Sequence, residues 1–138
     1  MTPEASMHAV RTAARLLLGA FLVAAGVAHL LVPAEFLAQV PPFLPAPAAV
    51  VLVSGVVELG VGAAVLVAPA RLRPQVGLVV AVLFVLVFPG NVSQYVTGTD
   101  AFGLDSDGAR ATRLLFQPLL VAWAIWACGS LVLLRRTR

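Results

Sequence analysis

The chain has 138 residues, of which 61% are hydrophobic and 11% are charged, and its mean hydropathy is +1.02. Soluble domains are about 45–50% apolar and about 25% charged, and a soluble chain of this length could not bury so much apolar surface. The composition therefore excludes a soluble globular protein. It indicates an integral membrane protein in which one domain occupies residues 1–138.

The net charge of +3 is the difference between nine basic and six acidic residues, and all nine basic residues are arginines. They lie at the ends of apolar segments, where basic residues orient a membrane protein. We therefore expect the lipid bilayer as a partner, and no nucleic acid. Cys128 is the sole cysteine, so the chain can form neither an internal disulfide nor a CxxC redox pair.

Four apolar stretches are predicted to span the membrane, at about 13–32, 48–67, 76–96 and 112–134. Each approaches the roughly 20 residues that a helical span requires, so the predicted fold is an all-α integral membrane bundle of four transmembrane helices. Residues 1–10 are expected to form a frayed tail. A signal peptide is the rival interpretation of the first stretch, although its apolar core exceeds the usual length of about 7–15 residues.

The connections carry strong turn signals. Residues 33–47 contain five prolines, which exclude an ordinary helix, and their apolar side chains favour the membrane interface. Residues 97–110 are polar and contain three aspartates. Within the third span, Pro89-Gly90 is expected to kink or unwind the helix.

The arginines also predict an orientation. With both termini in the cytoplasm, seven arginines lie inside and two lie outside, which satisfies the positive-inside rule. The inside set is Arg11, Arg15, Arg71, Arg73, Arg135, Arg136 and Arg138, and the outside set is Arg110 and Arg113. The two long connections, 33–47 and 97–110, then face outward.

Five polar residues of the spans are the candidate ligand-binding residues: His29, Glu58, Asn91, Arg113 and Gln117. A charge near the bilayer centre costs several kcal/mol unless it is paired or hydrated. At 1.5 Å per residue, Glu58 lies roughly 15 Å deep and the others lie in the outer half of the bundle. Small residues share the helix stripes of His29 and Glu58, so both should face inward, and the five are predicted to converge on one pocket.

Each candidate also has a structural interpretation. Glu58 could be an arginine-paired carboxyl, His29 a packing residue, Arg113 an interfacial anchor and Gln117 a bond between helices, while Asn91 is expected to satisfy backbone groups freed by Pro89. The Cα atoms of Arg113 and Glu58 should differ in depth by about 12 Å or more. We therefore expect a protonated Glu58 near His29, with Arg113 bonded to Asn91, Gln117 or a ligand oxygen.

Other chemistry has no support in the sequence. The two histidines, His8 and His29, are not arranged with other residues at metal-ligand spacing, and no phosphate-binding loop, nucleophile elbow or haem motif is present. We expect no metal and assign no catalytic residue. A quinone is the only cofactor that the polar candidates suggest.

The ordered motifs resemble the DoxX-like family of small four-helix bacterial membrane proteins. They are AGVAHLLVPAEF (25–36), VPPFLPAP (40–47), SGVVELGVG (54–62), FPGN (88–91) and RLLFQ (113–117), and the likeness runs from about Arg15 to Trp126. The chain departs from the family pattern at Gly90, where Ala is common. It departs again at Pro118, which follows Gln117 instead of preceding it.

The resemblance implies a four-helix bundle in the bacterial cytoplasmic (inner) membrane, with both termini cytoplasmic. Named members of that family are membrane partners of oxidoreductases, including a thiosulfate:quinone oxidoreductase. The resemblance therefore implies a redox-associated membrane protein whose partner is a membrane or soluble oxidoreductase subunit. It assigns no catalytic role to any residue, and whether the chain is an enzyme stays open.

Three functions follow as hypotheses. The leading one is a membrane subunit or accessory protein that binds a quinone-like apolar ligand, because His and Glu can supply the donors and the proton route that a quinone needs. The alternative is a scaffold whose polar residues form a network between helices, with another membrane protein or a second copy of the chain as partner. A transporter is less favoured, because four spans without inverted repeats make a poor alternating-access unit.

Overall fold

The computed structural model describes residues 2–136, and the ordered elements in this part of the chain are helices. In chain order they are α1 (Pro3–Leu31), α2 (Pro33–Leu37), α3 (Pro47–Val67), α4 (Arg73–Thr97), α5 (Asp107–Cys128) and α6 (Leu131–Arg136). Within residues 2–136 the one extended pairing is an isolated bridge between Ala101 and Leu104.

Four of these helices, α1, α3, α4 and α5, are long and apolar enough to cross a membrane. They contain 21 to 29 residues, and at 1.5 Å per residue even the shortest covers the roughly 30 Å of a hydrocarbon core. Large apolar side chains cover their outer surfaces, such as Leu86 at 70% and Leu115 at 71% exposure. Four helices of this length and composition, with this apolar outer surface, indicate a multi-pass membrane protein.

The first helix begins earlier than the sequence predicts. The Thr2 side chain accepts a hydrogen bond from the backbone N–H of Ala5 at 3.3 Å, and Pro3 occupies the first helical position. These are established start signals of a helix. The expected frayed tail is therefore wrong for residues 3–10, which form the first turns of α1.

The last helix ends earlier than the sequence predicts. Gly129 has a φ of +78° and stops α5 after Cys128, because glycine reaches the left-handed region without steric cost. The short helix α6 follows, so the stretch 112–134 is not one continuous helix. Arg138, which contributes to the predicted orientation, lies outside the described residues.

The prolines act differently from expectation in two places. Residues 33–47 include the five-residue helix α2, with Pro33 at its first position, where a missing N–H costs nothing. The helix α4 continues through Pro89 and Gly90 to Thr97, so the expected unwinding at these residues does not occur.

The long helices pack as two close pairs, α1 with α3 and α4 with α5. Between α1 and α3 the backbones touch at glycines: a Cβ on Gly26 would lie 2.8 Å from the Gly55 carbonyl oxygen, and one on Gly62 would lie 2.9 Å from the Val23 nitrogen. Small residues permit such close approach in membrane bundles. The glycine stripes that the sequence shows on these helices form this contact.

The bundle has two distinct ends. The loop end is formed by residues 32–46 and 98–106, and the basic end is formed by residues 68–72 and 129–130. At the basic end, buried Arg15 donates to the carbonyl oxygens of Val65 and Leu66. Arg15 thus binds the C-terminal turn of α3, a structural role beyond the orienting one expected from the sequence.

Candidate functional site

His29 and Glu58 form a buried pair at the contact between α1 and α3. His29 Nδ1 lies 3.3 Å from Glu58 Oε2, and it donates a hydrogen bond to the Ala25 carbonyl oxygen at 2.8 Å. The pair can be this close because Gly55 has no side chain: a Cβ at this position would lie only 2.6 Å from the His29 Cβ. Glycine at 55 therefore allows the histidine to approach the helix that carries the carboxyl.

The Glu58 carboxyl has unused bonding capacity. Its Oε2 is buried and makes no hydrogen bond of ordinary geometry to any residue from 2 to 136. The His29 proton at Nδ1 is engaged mainly by Ala25, since that contact is the shorter one. A buried polar atom without a partner is costly, so the carboxyl is the group at this site with the most to gain from a ligand.

Amide side chains connect α4 to α5. Asn91 Nδ2 donates to Gln117 Oε1 at 3.0 Å, and Gln117 Nε2 donates to the Phe84 carbonyl oxygen. Arg113 Nε donates to Asn91 Oδ1 at 3.0 Å. Asn91 therefore bonds two side chains of the neighbouring helix, and the expectation that it would satisfy backbone groups freed by Pro89 is wrong.

A cavity of about 240 Å³ lies between two polar groups, the His29–Glu58 pair and the network of Asn91, Arg113 and Gln117. All five of these candidate residues line it. Its walls are mostly apolar, with Leu22, Val51 and Phe84 among them. A dry apolar cavity of about 150 Å³ is enough to hold benzene, so this one has room for a substituted ring. The convergence expected from the sequence is found in the structure.

Arg113 and Glu58 face the same cavity without forming an ion pair. Within residues 2–136, Arg110 forms ion pairs with Asp100 and Asp107, and Glu58 lies beside His29. Apart from the Nε bond to Asn91, the Arg113 guanidinium makes no hydrogen bond to a described residue. The geometry corresponds to the expected arrangement, in which Glu58 neighbours His29 and Arg113 bonds to Asn91.

Aromatic rings lie beside the two polar groups at the loop end of the bundle. The Phe36 ring stacks on His29, with centroids 3.6 Å apart and planes inclined by 24°. The Phe102 ring meets Phe36 edge-on at 4.8 Å and lies under the Arg113 guanidinium, 5.6 Å from its carbon. The contact is within range for a cation–π attraction, so the rings join both polar groups into one cap.

Hydrogen bonds fix the two loops of this cap to each other. Gln39 Nε2 donates to Gln94 Oε1 at 2.9 Å, and Gln94 Nε2 donates to the Ala101 carbonyl oxygen at 3.3 Å. The Phe102 N–H donates to Glu35 Oε2 at 2.5 Å. The Pro-rich loop therefore forms part of the site.

The cap residues are not among the five candidates that the sequence predicts. Gln39 is 8% and Gln94 is 1% exposed, although both are polar and lie near the ends of apolar stretches. Gln94 stands three residues after Asn91, on the same face of α4, and that spacing is a signal that could have identified it. Gln39 and Phe102 lie in loops, where no periodicity predicts which side chains turn inward.

The cavity is also bordered by side chains on the outer surface of the bundle. Leu86 and Pro89 of α4 line it, although both are exposed. The helices α3 and α4 pack less closely with each other than the two main pairs do. The looser contact between α3 and α4 therefore places part of the cavity wall next to the surrounding lipid.

The remaining ionisable groups do not suggest a metal centre. Within residues 2–136, no group of three or more His, Cys, Asp or Glu side chains is placed to hold a metal ion. Buried Arg110 pairs with Asp100 at 2.8 Å and Asp107 at 3.0 Å. It also donates to the Leu104 carbonyl oxygen, so it shapes the second loop of the cap and does not line the cavity.

Fold and site together define a class: an all-helical, multi-pass membrane protein with a polar and aromatic cavity near one end of the bundle. The chain belongs to a family described as a domain of unknown function, DUF8561, whose model matches residues 18–128. The match includes all five candidate residues and the cap. Comparisons with curated proteins and with solved structures give no match.

Proposed function

We propose that this protein binds a quinone-like ligand, an apolar ring with oxygen substituents, in the cavity between α1, α3, α4 and α5. One observation carries the proposal: polar side chains with unused hydrogen-bonding capacity line a mostly apolar cavity of ring size. Glu58 Oε2 has no partner within residues 2–136, and the Arg113 guanidinium donates a hydrogen bond to a described residue only from Nε, to Asn91. Pockets for small organic ligands combine apolar walls with few polar groups in this way.

The polar groups suit the two ends of such a ring. The Arg113 guanidinium keeps most of its five N–H donors free, and these can donate to a quinone oxygen. The Glu58 carboxyl lies on the opposite helix pair beside His29. Reduction of a quinone adds protons as well as electrons, and a carboxyl next to a histidine can carry protons. The electrons would come from a partner protein.

Access from the bilayer is part of the proposal. A quinone with a hydrophobic tail reaches its site through lipid, and the cavity is bordered by Leu86 and Pro89 on the outer surface of α4. The ring would pass between α3 and α4, where packing is looser than between α1 and α3 or between α4 and α5. The tail would stay among the exposed apolar side chains of the bundle.

We further propose that the protein serves as a membrane subunit or accessory protein of a redox system. The support is the resemblance of its motifs to the DoxX-like family, together with the cavity. On the same basis we propose the bacterial inner membrane as its location, with both termini in the cytoplasm. Cysteine labelling tests the orientation: Asp105→Cys and Arg73→Cys should react from opposite sides of the membrane, and reaction from the same side would refute it.

Titration of the purified protein in detergent with a short-chain ubiquinone tests the function. Binding, followed by quenching of tryptophan fluorescence, should saturate, and Glu58→Gln and Arg113→Gln should each weaken it about tenfold, because each disturbs one hydrogen bond to a ligand oxygen. Matched controls remove the same charges elsewhere: Glu4→Gln and Arg71→Gln should bind like the unmodified protein. Absence of saturable binding, or equal affinity in all variants, contradicts the proposal.

A scaffold without a ligand is the second candidate, and one observation favours it. Asn91 and Gln117 already bond to each other, to Arg113 and to a backbone carbonyl, as expected for a structural network between helices. Under this alternative, Glu58→Gln would lower the thermal stability and no quinone would bind. Unchanged stability with lost binding would exclude it.

A further inference from the structure

A second cavity, of about 280 Å³, lies at the basic end of the bundle. Its ten lining residues come from α1, from the turn before α4 and the start of α4, and from the end of α5 with Gly129. The ionisable groups among them, apart from the thiol of Cys128, are His8, Arg11, Arg15 and Arg73. The lining contains no aspartate or glutamate, and none of these arginines forms an ion pair within residues 2–136.

The fold brings these basic groups together. His8, Arg11 and Arg15 follow one another at spacings of three and four residues, so they share one face of α1. Arg73 is the first residue of α4, across the cavity from them. Like charges repel when they converge in a partly buried site, so this cluster requires a compensating negative group.

Backbone carbonyls compensate only part of the charge. Arg15 bonds the carbonyl oxygens of Val65 and Leu66, and Arg73 Nε donates to that of Ala68 at 3.2 Å. These contacts offset the partial negative charge at the end of α3. They use few of the donors, because each guanidinium carries five N–H groups.

Arg11 is the least satisfied member of the cluster. Its Nε is buried and has no hydrogen-bond partner within residues 2–136, and its guanidinium lies against Gly129, where a Cβ would be 2.6 Å from Nη2. An unpaired buried donor costs about 1–3 kcal/mol. An anion in the cavity, bound by the terminal N–H groups of the arginines, would offset the repulsion between them.

The start of α4 adds to the positive potential. This 25-residue helix begins beside the cavity, and no side chain caps its first turn. The free N–H groups at a helix N-terminus and the helix dipole favour an anion there. The remaining walls include the small residues Ala70 and Ala127, which leave room for a group larger than a water molecule.

We propose that this cavity binds a phosphate group, held chiefly by Arg11 and Arg73 with Arg15 behind them. Arginine presents paired N–H donors that match phosphate oxygens. The phosphate could belong to the headgroup of an anionic phospholipid in the adjacent leaflet or to a soluble phosphate compound. The proposal is independent of the quinone-like ligand, because the two cavities share no lining residue.

Two measurements on the full-length protein distinguish the sources. Native mass spectrometry of delipidated protein, with phosphatidylglycerol added and phosphatidylcholine as comparison, reports lipid binding. Thermal stability in detergent with inorganic phosphate and pyrophosphate reports soluble anions. Preferential retention of phosphatidylglycerol without a pyrophosphate effect identifies a lipid headgroup, and the reverse identifies a soluble compound; either result supports a phosphate site.

Variants link the binding to this cavity. Arg11→Gln and Arg73→Gln should weaken binding about tenfold or more, and Arg11→Lys should recover only part of it because a point charge replaces the fork of donors. Arg71→Gln is the matched control, since Arg71 is exposed in the same turn and does not line the cavity. Circular dichroism is the control that checks whether Arg11→Gln is folded. Equal binding in Arg11→Gln, Arg73→Gln and Arg71→Gln, or no anion binding at all, overturns the proposal.

Discussion

The two main helix contacts of the bundle use polar residues in opposite ways. Between α4 and α5, Asn91 and Gln117 bond to each other and to the Phe84 carbonyl oxygen. Between α1 and α3, the backbones meet at glycines, and the Glu58 carboxyl is left without a hydrogen bond beside His29. The first contact is held by polar bonds, whereas the second is held by close packing.

This difference distinguishes polar residues that stabilise the fold from polar residues that are available to bind a ligand. A polar group whose bonds are complete lowers the free energy of the folded bundle and has little left for a ligand. A polar group that is buried and incomplete costs stability, and it gains most when a ligand binds. The comparison predicts that glycine substitutions between α1 and α3 lower stability by disturbing packing. Substitutions between α4 and α5 should lower stability by removing hydrogen bonds. Substitution of Glu58 should lower ligand affinity instead of stability.

The largest effect is expected from Gly55→Ala. The new Cβ would lie 2.6 Å from the His29 Cβ, so α1 and α3 would have to separate, at a cost of about 1–3 kcal/mol or more. The measurement is thermal unfolding in detergent. Gly60→Ala is the control on the same helix, because nothing lies within 4 Å of a Cβ there. Equal melting temperatures for both variants would show that the glycine contact does not hold the bundle.

A smaller loss is expected from Gln117→Leu. The substitution leaves Asn91 Nδ2 without its partner and removes the bond from Gln117 to the Phe84 carbonyl oxygen, which should cost about 1–2 kcal/mol given the modest strength of such bonds in membrane bundles. The double variant Asn91→Leu/Gln117→Leu should lose less than the sum of the single variants, since it removes both partners. Strict additivity in thermal unfolding would mean that the two amides are not coupled.

Glu58→Gln should change stability least among the buried polar residues. The substitution preserves shape and breaks no hydrogen bond, so we expect a change within about 0.5 kcal/mol, as for substitutions that remove no specific interaction. Its effect on quinone affinity should be about tenfold or more. A large drop in the melting temperature of Glu58→Gln would show that Glu58 stabilises the fold, as Asn91 and Gln117 do.

Sequence periodicity predicts the bundle and its inward residues well. Hydropathy locates the four long helices, and the depth of Glu58, together with the glycine stripes, correctly indicates that His29 and Glu58 are neighbours. Depth alone also separates Glu58 from Arg113, because a rise of 1.5 Å per residue is fixed by helix geometry. These predictions succeed because they depend only on regular helices.

The ends of the helices and the cap are less predictable. The start of α1 at Pro3 depends on the Thr2 cap, a local signal weaker than hydropathy, and the end of α5 depends on one glycine conformation. The cap depends on contacts between loops, such as that of Gln39 with Gln94, which join residues 55 positions apart. No local pattern encodes such a contact, so the sequence predicts the site residues on the long helices and not the residues of the cap.

A small effect on stability is also expected at the cap, from Phe102→Leu. The Phe102 ring is 40% exposed, so its contacts with Phe36 and Arg113 should contribute only about 0.5–1 kcal/mol.

Phe102 also has a φ of 53°, a left-handed conformation that is uncommon for a bulky residue. The bond from its N–H to Glu35 Oε2 supports this conformation. Leucine retains the strained backbone and removes the ring, so the substitution isolates the contribution of the ring. If the aromatic cap retains the ligand, quinone dissociation measured by stopped-flow fluorescence should accelerate several-fold while the melting temperature changes little. Val96→Leu is the control, because Val96 is exposed and lies near the C-terminal end of α4, at the loop end of the bundle. An unchanged dissociation rate in Phe102→Leu would show that the cap plays no part in retaining the ligand.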